Sequence, residues 1–166
     1  MLNVTGDLED PSNFLIRANQ GHSVVINSDG LLEPITEKNM PDKVVHGTTA
    51  KAWNLIMLTG GLKPMTRNHV HFASGLPSTF REIGDEKADL SSKDEAPVIS
   101  GMRNSSTILI YIDIQKAISS GLKFWLSQNG VILSTGDENG LISMNLFQKV
   151  ANRMLNRIIM QDGQLL

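Results

Sequence analysis

The 166-residue chain has no cysteine. Disulfides and thiolate metal sites are therefore excluded, which fits a reducing compartment. No window approaches the roughly 20 apolar residues that a membrane-spanning helix needs, so no membrane partner is expected. The first ten residues, MLNVTGDLED, are polar and acidic. They resemble neither a secretory signal nor an Arg-rich transit peptide, so a cytoplasmic or nuclear protein is expected, not a secreted one. Charge is nearly balanced, at −2. A nucleic-acid partner would have to be held by a local basic patch, because the whole-molecule field gives no help. Also absent are the G-x-S-x-G elbow of triad hydrolases, the G-x-x-x-x-G-K-[ST] phosphate loop and the G-x-G-x-x-G dinucleotide fingerprint. A nucleotide bound here is bound by another scheme.

The length suits one domain with a real core, and 40% hydrophobic and 19% charged residues are ordinary for a globular protein. Five short runs read as strands: SVVIN (23–27), KVVHGT (43–48), HVHFAS (69–74), TILIYIDI (107–114) and GVILST (130–135). The fourth is apolar at nearly every position, as in a central strand buried on both faces. After HGTT, the segment AKAWNLIMLTGG spaces Trp53, Ile56 and Met57 as a helix does, with Thr48 or Thr49 as N-cap and Gly60–Gly61 as the stop. A shorter helix is expected around 115–120, ending at Gly121. Leu146, Val150, Met154, Leu155 and Ile158 keep helical spacing behind a candidate cap at Ser143. On that helix Lys149, Arg153 and Arg157 would line one side, as a phosphate-contacting stripe or, more commonly, a solvated face. Residues 78–96 are charged and acidic on balance, and read as a solvated loop. Strands and helices mix without regular βαβ alternation, so the expected class is α+β.

The chemistry gathers around RNHVHFAS (67–74), which holds two of the four histidines. Strand periodicity places His69 and His71 on one face. A metal would need a third ligand, and His46 is the candidate, but Arg67 sets a cation beside the site. No metal is expected. Polar and glycine-containing clusters recur at RANQGHS (17–23), VHGTT (45–49), RNHVH (67–71) and VISGMRNSS (98–106), each at or beside a strand end. Converging, Arg17, Arg67, Arg103 and the histidines would make a cationic pocket suited to phosphate or pyrophosphate. Singly each has a blander reading: His46 as a satisfied core histidine, Arg17 as a surface ion-pair partner, Arg103 as a turn cation. Together they point to a site.

RANQGHS, HGT, RNHVHFASGLP, VISGMR with ILIYIDI, and FWLSQNGVILSTG occur in that order across roughly residues 14–150. In this the chain resembles the RNA 2′-phosphotransferases, called KptA in bacteria and archaea, which remove the splice-junction 2′-phosphate from tRNA using NAD⁺. The resemblance implies an ADP-ribosyltransferase-like split β-sheet with flanking helices, clasping NAD⁺ in a cleft. Residues 23–160 would form this lobe with 78–96 as an insertion, 1–22 a remnant of an N-terminal lobe and linker, and 161–166 a tail. It further implies that His46, Gly47 and Thr48 lie near the nicotinamide and its ribose. His71, with His69 close behind, would fill the second signature position, with Ser74 and Gly75 following in the pocket. Val131 would be the apolar third position, where many relatives in the wider superfamily carry a catalytic glutamate. That replacement is chemically coherent, because a phosphate nucleophile is already ionised and needs no general base.

In the implied reaction the RNA 2′-phosphate attacks the anomeric carbon of the nicotinamide ribose and expels nicotinamide. The adjacent ribose hydroxyl then attacks phosphorus, releasing 2′-OH RNA and ADP-ribose 1″,2″-cyclic phosphate. The family uses an Arg-His-Arg-Arg set to hold the phosphoryl charge, and Arg67 matches its last member; Arg103 is a second candidate for phosphate contact. The first Arg and the His belong to an LRH motif in a winged-helix lobe that these residues do not contain. The second Arg falls at or before Met1, and Arg17 is not its counterpart. Impaired transfer is therefore expected. The implied partners are a 2′-phosphorylated tRNA splice junction and NAD as co-substrate, with a monomer expected when the full lobe is present. The alternative is a non-catalytic module binding NAD, ADP-ribose or an RNA end.

Overall fold

The computed structural model describes residues 32–84 and 102–166. The first stretch carries β1 (Leu32–Pro34), β2 (Val45–Thr48), α1 (Ala50–Thr59), β3 (Gly61–Leu62) and β4 (Val70–Ala73). The second carries β5 (Ile108–Ile112), α2 (Ile114–Ser119), β6 (Phe124–Ser127), β7 (Val131–Ser134) and β8 (Ile142–Ser143). A single 3₁₀ turn (Met144–Leu146) then leads into β9 (Phe147–Asn152), β10 (Arg157–Gln161) and β11 (Gln164–Leu165). Among the described residues, nine strands join one sheet in the order β1-β6-β7-β4-β2-β5-β9-β10-β11, and β3 pairs β8 apart from it. Every pairing is antiparallel. Sheet dominates and the two helices do not alternate with parallel strands, as expected of an α+β chain.

The apolar run ILIYI explains the frame. All five residues of β5 are buried, and the strand sits between β2 and β9 with a covered face on each side. On one face Val44, Phe72, Ile110, Ile132 and Val150 pack with Trp53 of α1 and with Ile114 and Ala117 of α2. The opposite face carries a smaller cluster of Val45, Leu109, Tyr111 and Ala151, covered by Phe80 and Ile83. Helix α1 starts where its sequence says: the Thr49 side chain accepts from the Ala52 amide. It stops at Gly60, whose φ of 80° suits the left-handed cap and whose amide reaches Ile56 and Met57 carbonyls. The strands expected at 43–48, 69–74, 107–114 and 130–135 and the short helix at 115–120 are present with slightly different ends. The strand expected at 23–27, the RANQGHS cluster, the stretch assigned to an N-terminal remnant, and VISG all lie outside the described residues. No helix among the described residues is long and apolar enough to cross a membrane. Residues 161–166, set apart above as a tail, carry the end of β10 and β11.

Two expectations are corrected. The terminal helix does not form: the segment after Ser143 is a 3₁₀ turn followed by the β9–β10 hairpin. The cause is local. Asn152 Oδ1 accepts from the amides of Met154 (3.0 Å) and Leu155 (3.1 Å), and Asn156 takes a left-handed φ of 47°. This Asx turn reverses the chain and defeats the apparent helical period. The Lys149–Arg153–Arg157 helix stripe disappears with it; Lys149 lies on β9, Arg153 in the hairpin turn and Arg157 at the start of β10. The second correction concerns 78–96, of which 78–84 are described. This part is packed onto the sheet. Phe80 and Ile83 are buried, and Glu82 binds Lys43 at 2.9 Å and Lys149 at 3.0 Å.

Candidate functional site

Strand β2 pairs β5 at four positions, Val45 to Thr48, and β4 pairs β7 at four. Between β2 and β4 there is a single paired position, Val45 with Ala73. Beyond it the strands part, and a cavity of about 340 Å³ opens, within the range of small-molecule sites. His46, Gly47 and Thr48 line one wall, Arg67 and His71 another, and Arg103 a third.

His46 and His71 reach the cavity from opposite faces of the sheet. His46 shares a face with Phe72, whose ring it meets edge-on at 5.9 Å. Its Nδ1 lies 2.8 Å from the His71 carbonyl, a bond across the gap where the ladder has stopped. A carbonyl only accepts, so Nδ1 carries the proton and Nε2 of the neutral ring is an acceptor. Burial holds His46 below the ordinary histidine range; the bond to His71 opposes this and Arg67 reinforces it. His71 is lowered by burial first and by Arg67 next, against a backbone hydrogen bond at His69. Its Nε2 is buried without a hydrogen-bond partner among the described residues. A buried polar atom left open in this way is costly unless something else meets it. Both imidazoles are thus neutral at pH 7, and the positive charge in the cavity belongs to the arginines.

Arg67 closes a turn, its amide bonded to the Pro64 carbonyl at 3.1 Å, in which Met65 adopts a left-handed φ of 58°. That conformation is uncommon outside glycine, and such strain clusters at functional sites. Arg103 begins the turn closed by the Ser106 amide on its carbonyl at 3.0 Å. This turn lies directly on β2. A Cβ at Gly47 would stand 2.5 Å from Met102 Cγ and 2.7 Å from Ser106 Oγ, so only glycine fits beneath it. Thr48, Thr49 and Ala52 bring the N-terminus of α1 to the rim, where the helix dipole favours an anion. Among the described residues the lining contains no Asp or Glu.

Of the residues singled out from the sequence, His46, Gly47, Thr48, Arg67, His71 and Arg103 come together here. His69, Ser74, Gly75 and Val131 are not among the lining residues. His69 meets Trp125 edge-on at 5.9 Å. Val131 is buried in β7 opposite Ala73, its amide and carbonyl both bonded to Ser127 Oγ. Ser74 and Gly75 follow the end of β4. Thr49, Ala52, Met102, Ser105 and Ser106 also line the cavity. All but Ala52 belong to the same polar clusters, so cluster membership was their signal. Among the described residues no group of three His, Asp or Glu side chains is arranged to hold a metal.

The family described as RNA 2′-phosphotransferase, Tpt1 / KptA family, matches residues 5–136. The chain is 40% identical over 135 residues to tRNA 2′-phosphotransferase 1 of Danio rerio, covering 81% of this chain and 52% of that protein. It is 37% identical over 143 residues to tRNA 2′-phosphotransferase 1 of Homo sapiens, covering 86% and 50%. Against tRNA 2′-phosphotransferase of Saccharomyces cerevisiae it is 37% identical over 139 residues, covering 81% and 51%. The chain spans about half the length of these curated relatives. A match running from residue 5 to residue 136, through β2, β4, β5 and the cavity they frame, means that the chain belongs to the RNA 2′-phosphotransferase, Tpt1 / KptA family.

Proposed function

We propose that the cavity binds NAD and presents it to an RNA 2′-phosphate, in a transfer that yields nicotinamide, 2′-OH RNA and ADP-ribose 1″,2″-cyclic phosphate. Its frame is an ADP-ribosyltransferase-like sheet split between β2 and β4, and its RNA is a 2′-phosphorylated tRNA splice junction. The observation that carries this is the make-up of the lining among the described residues: two arginines and two neutral histidines with no carboxylate.

The residues fit the dinucleotide. His71 lines the cavity and its buried Nε2 has no hydrogen-bond partner among the described residues, Gly47 lets a ligand approach the backbone of β2, and His46 Nε2 can accept from a ribose hydroxyl. When the 2′-phosphate attacks the anomeric carbon, the C–N electron pair leaves with nicotinamide and positive charge develops on the ribose. Neutral imidazoles line that point without repelling it. The phosphate needs no base, in keeping with described lining residues that include no Asp or Glu. In the second step the neighbouring ribose hydroxyl attacks phosphorus, and the RNA 2′-oxygen leaves and takes a proton. Arg67, assisted by Arg103, stabilises the phosphoryl oxygens through both steps by preorganised charge-assisted bonds.

The test is calorimetry of the chain with NAD and with ADP-ribose, beside transfer from a 2′-phosphorylated oligonucleotide. Binding that His71→Ala weakens, with cyclic phosphate formed from NAD, is the expected result. Binding of neither ligand overturns the proposal, and tight binding without transfer favours a non-catalytic ADP-ribose module.

A further inference from the structure

Arg153 lies outside the cavity and beyond residue 136, where the family match ends. It nevertheless holds one of the cavity's walls. Its Nη1 donates to the Ser106 carbonyl, and its amide donates to the Thr107 carbonyl at 2.9 Å. The guanidinium plane meanwhile lies over the Phe80 ring, with Cζ 3.3 Å from the centroid. Thr107 in turn donates to the Thr48 carbonyl at 2.8 Å. The turn that carries Arg103 is thus clamped from the hairpin side by Arg153 and tied to the cavity strand β2 by Thr107.

The chemistry of the clamp is specific to arginine. A planar fork can stack a face on an aromatic ring while an edge N–H bonds a carbonyl. A lysine ammonium is a point charge on a flexible stem and cannot hold both partners in one plane. The neighbouring Lys149 also lies over a ring, its Nζ 4.5 Å from the Tyr111 centroid, but at longer range and shared with Glu82 at 3.0 Å and the Ile83 carbonyl at 3.3 Å. Together they fix the described chain on both sides of residues 85–101 to the same sheet face.

We infer that Arg153 is a positioning residue for the cavity: by clamping the Ser106 carbonyl against Phe80 it sets the turn that carries Arg103 and holds Met102 and Ser106 over Gly47, and so the affinity for the pyrophosphate-bearing ligand. This rests on the proposed function only in naming that ligand. It predicts that Arg153→Met weakens ADP-ribose binding about tenfold, as for losing a charge-assisted bond. Amide exchange should rise at 102–107 while β2 and β5 stay protected, and the melting temperature should move little. Arg153→Lys should not restore the affinity, because charge alone does not form the clamp. If Arg153→Met does not fold, Phe80→Leu, which removes the stacking face and leaves the guanidinium, should shift affinity and exchange the same way by less. Wild-type affinity in Arg153→Lys, or exchange that rises uniformly through the sheet, overturns the inference. If the unaltered chain binds neither NAD nor ADP-ribose, the functional reading fails, while exchange at 102–107 in the variants still decides whether Arg153 holds the turn.

Discussion

The two edges of β2 are built for opposite purposes. Toward β5 the ladder is complete over Val45–Thr48, and every residue of β5 is buried. Toward β4 the ladder stops after one position, and a side chain, His46, takes over the bond that the backbone no longer makes. The closed edge concentrates stability, because satisfied backbone and buried apolar area lie together. The open edge trades that for space and for a polar atom with no partner, the His71 Nε2. A sheet can carry a buried polar cleft in its middle only if something replaces each lost pairing. Here one such replacement is the histidine bond to the His71 carbonyl, while the N-terminus of α1 and two arginines line the space that opens.

If that division is real, damage to the closed edge should appear as instability and damage to the open edge as lost chemistry. The largest expected effect is on the closed side. Ile112 is buried in β5 next to the Val44 carbonyl that its amide binds at 2.9 Å. Ile112→Ala should cost about 2–5 kcal/mol in urea unfolding, with little change in ADP-ribose affinity per folded molecule. A variant that keeps its stability but loses binding would merge the two edges. The next effect is on the open side. Arg67 is exposed at the cavity rim and makes no salt bridge among the described residues. Arg67→Ala should lower 2′-phosphate transfer about 10²–10³-fold, the scale of removing one preorganised donor, and leave the melting temperature nearly unchanged. Transfer within a few-fold of the unaltered chain would remove Arg67 from the mechanism.

The same contrast explains what could be seen in the sequence. The closed edge was legible because burial on both faces writes an unbroken apolar run, TILIYIDI, that little else explains. Helix α1 was legible from its cap, its spacing and its glycines. His46, Arg67, His71 and Arg103 were legible as members of polar clusters at strand ends expected to converge, but the gap that brings them together was not, since it depends on which strands fail to pair. The misread terminal helix shows the limit of periodicity. Leu146, Val150 and Ile158 fit a helix, while two asparagines acting through one carboxamide and one left-handed φ decide for a hairpin. Short-range turn chemistry overrode a weak period. Arg153 had no chance of being read correctly, because its role exists only once that hairpin brings it to Ser106 and Phe80.

The smallest expected effect tests whether the open edge is kept uncharged. His46 and His71 both lie below the ordinary histidine value of 6.5, burial being the first cause for each and Arg67 a further one. The sign follows from proton counting. Above 6.5 the rings are neutral in folded and unfolded chains, and nothing is lost. As pH falls below 6.5 the unfolded chain binds protons that the folded chain still refuses, so stability drops. The slope cannot exceed about 1.4 kcal/mol per pH unit for each histidine, and half-buried His71, screened by solvent, contributes less. Glu82 does not confuse this window. Burial raises it, but hydrogen bonds from Lys43 and Lys149 outweigh that and hold it below 4.5, so its loss comes at lower pH. Unfolding free energies measured from about pH 8 to about pH 5 should therefore be level and then decline. His46→Asn keeps an N–H for the His71 carbonyl but cannot titrate, so it should decline less steeply than the unaltered chain. Parallel curves for the two would mean that the imidazole at the open edge accepts a proton as readily as any exposed one, and that the neutrality of the cleft is not built into the fold.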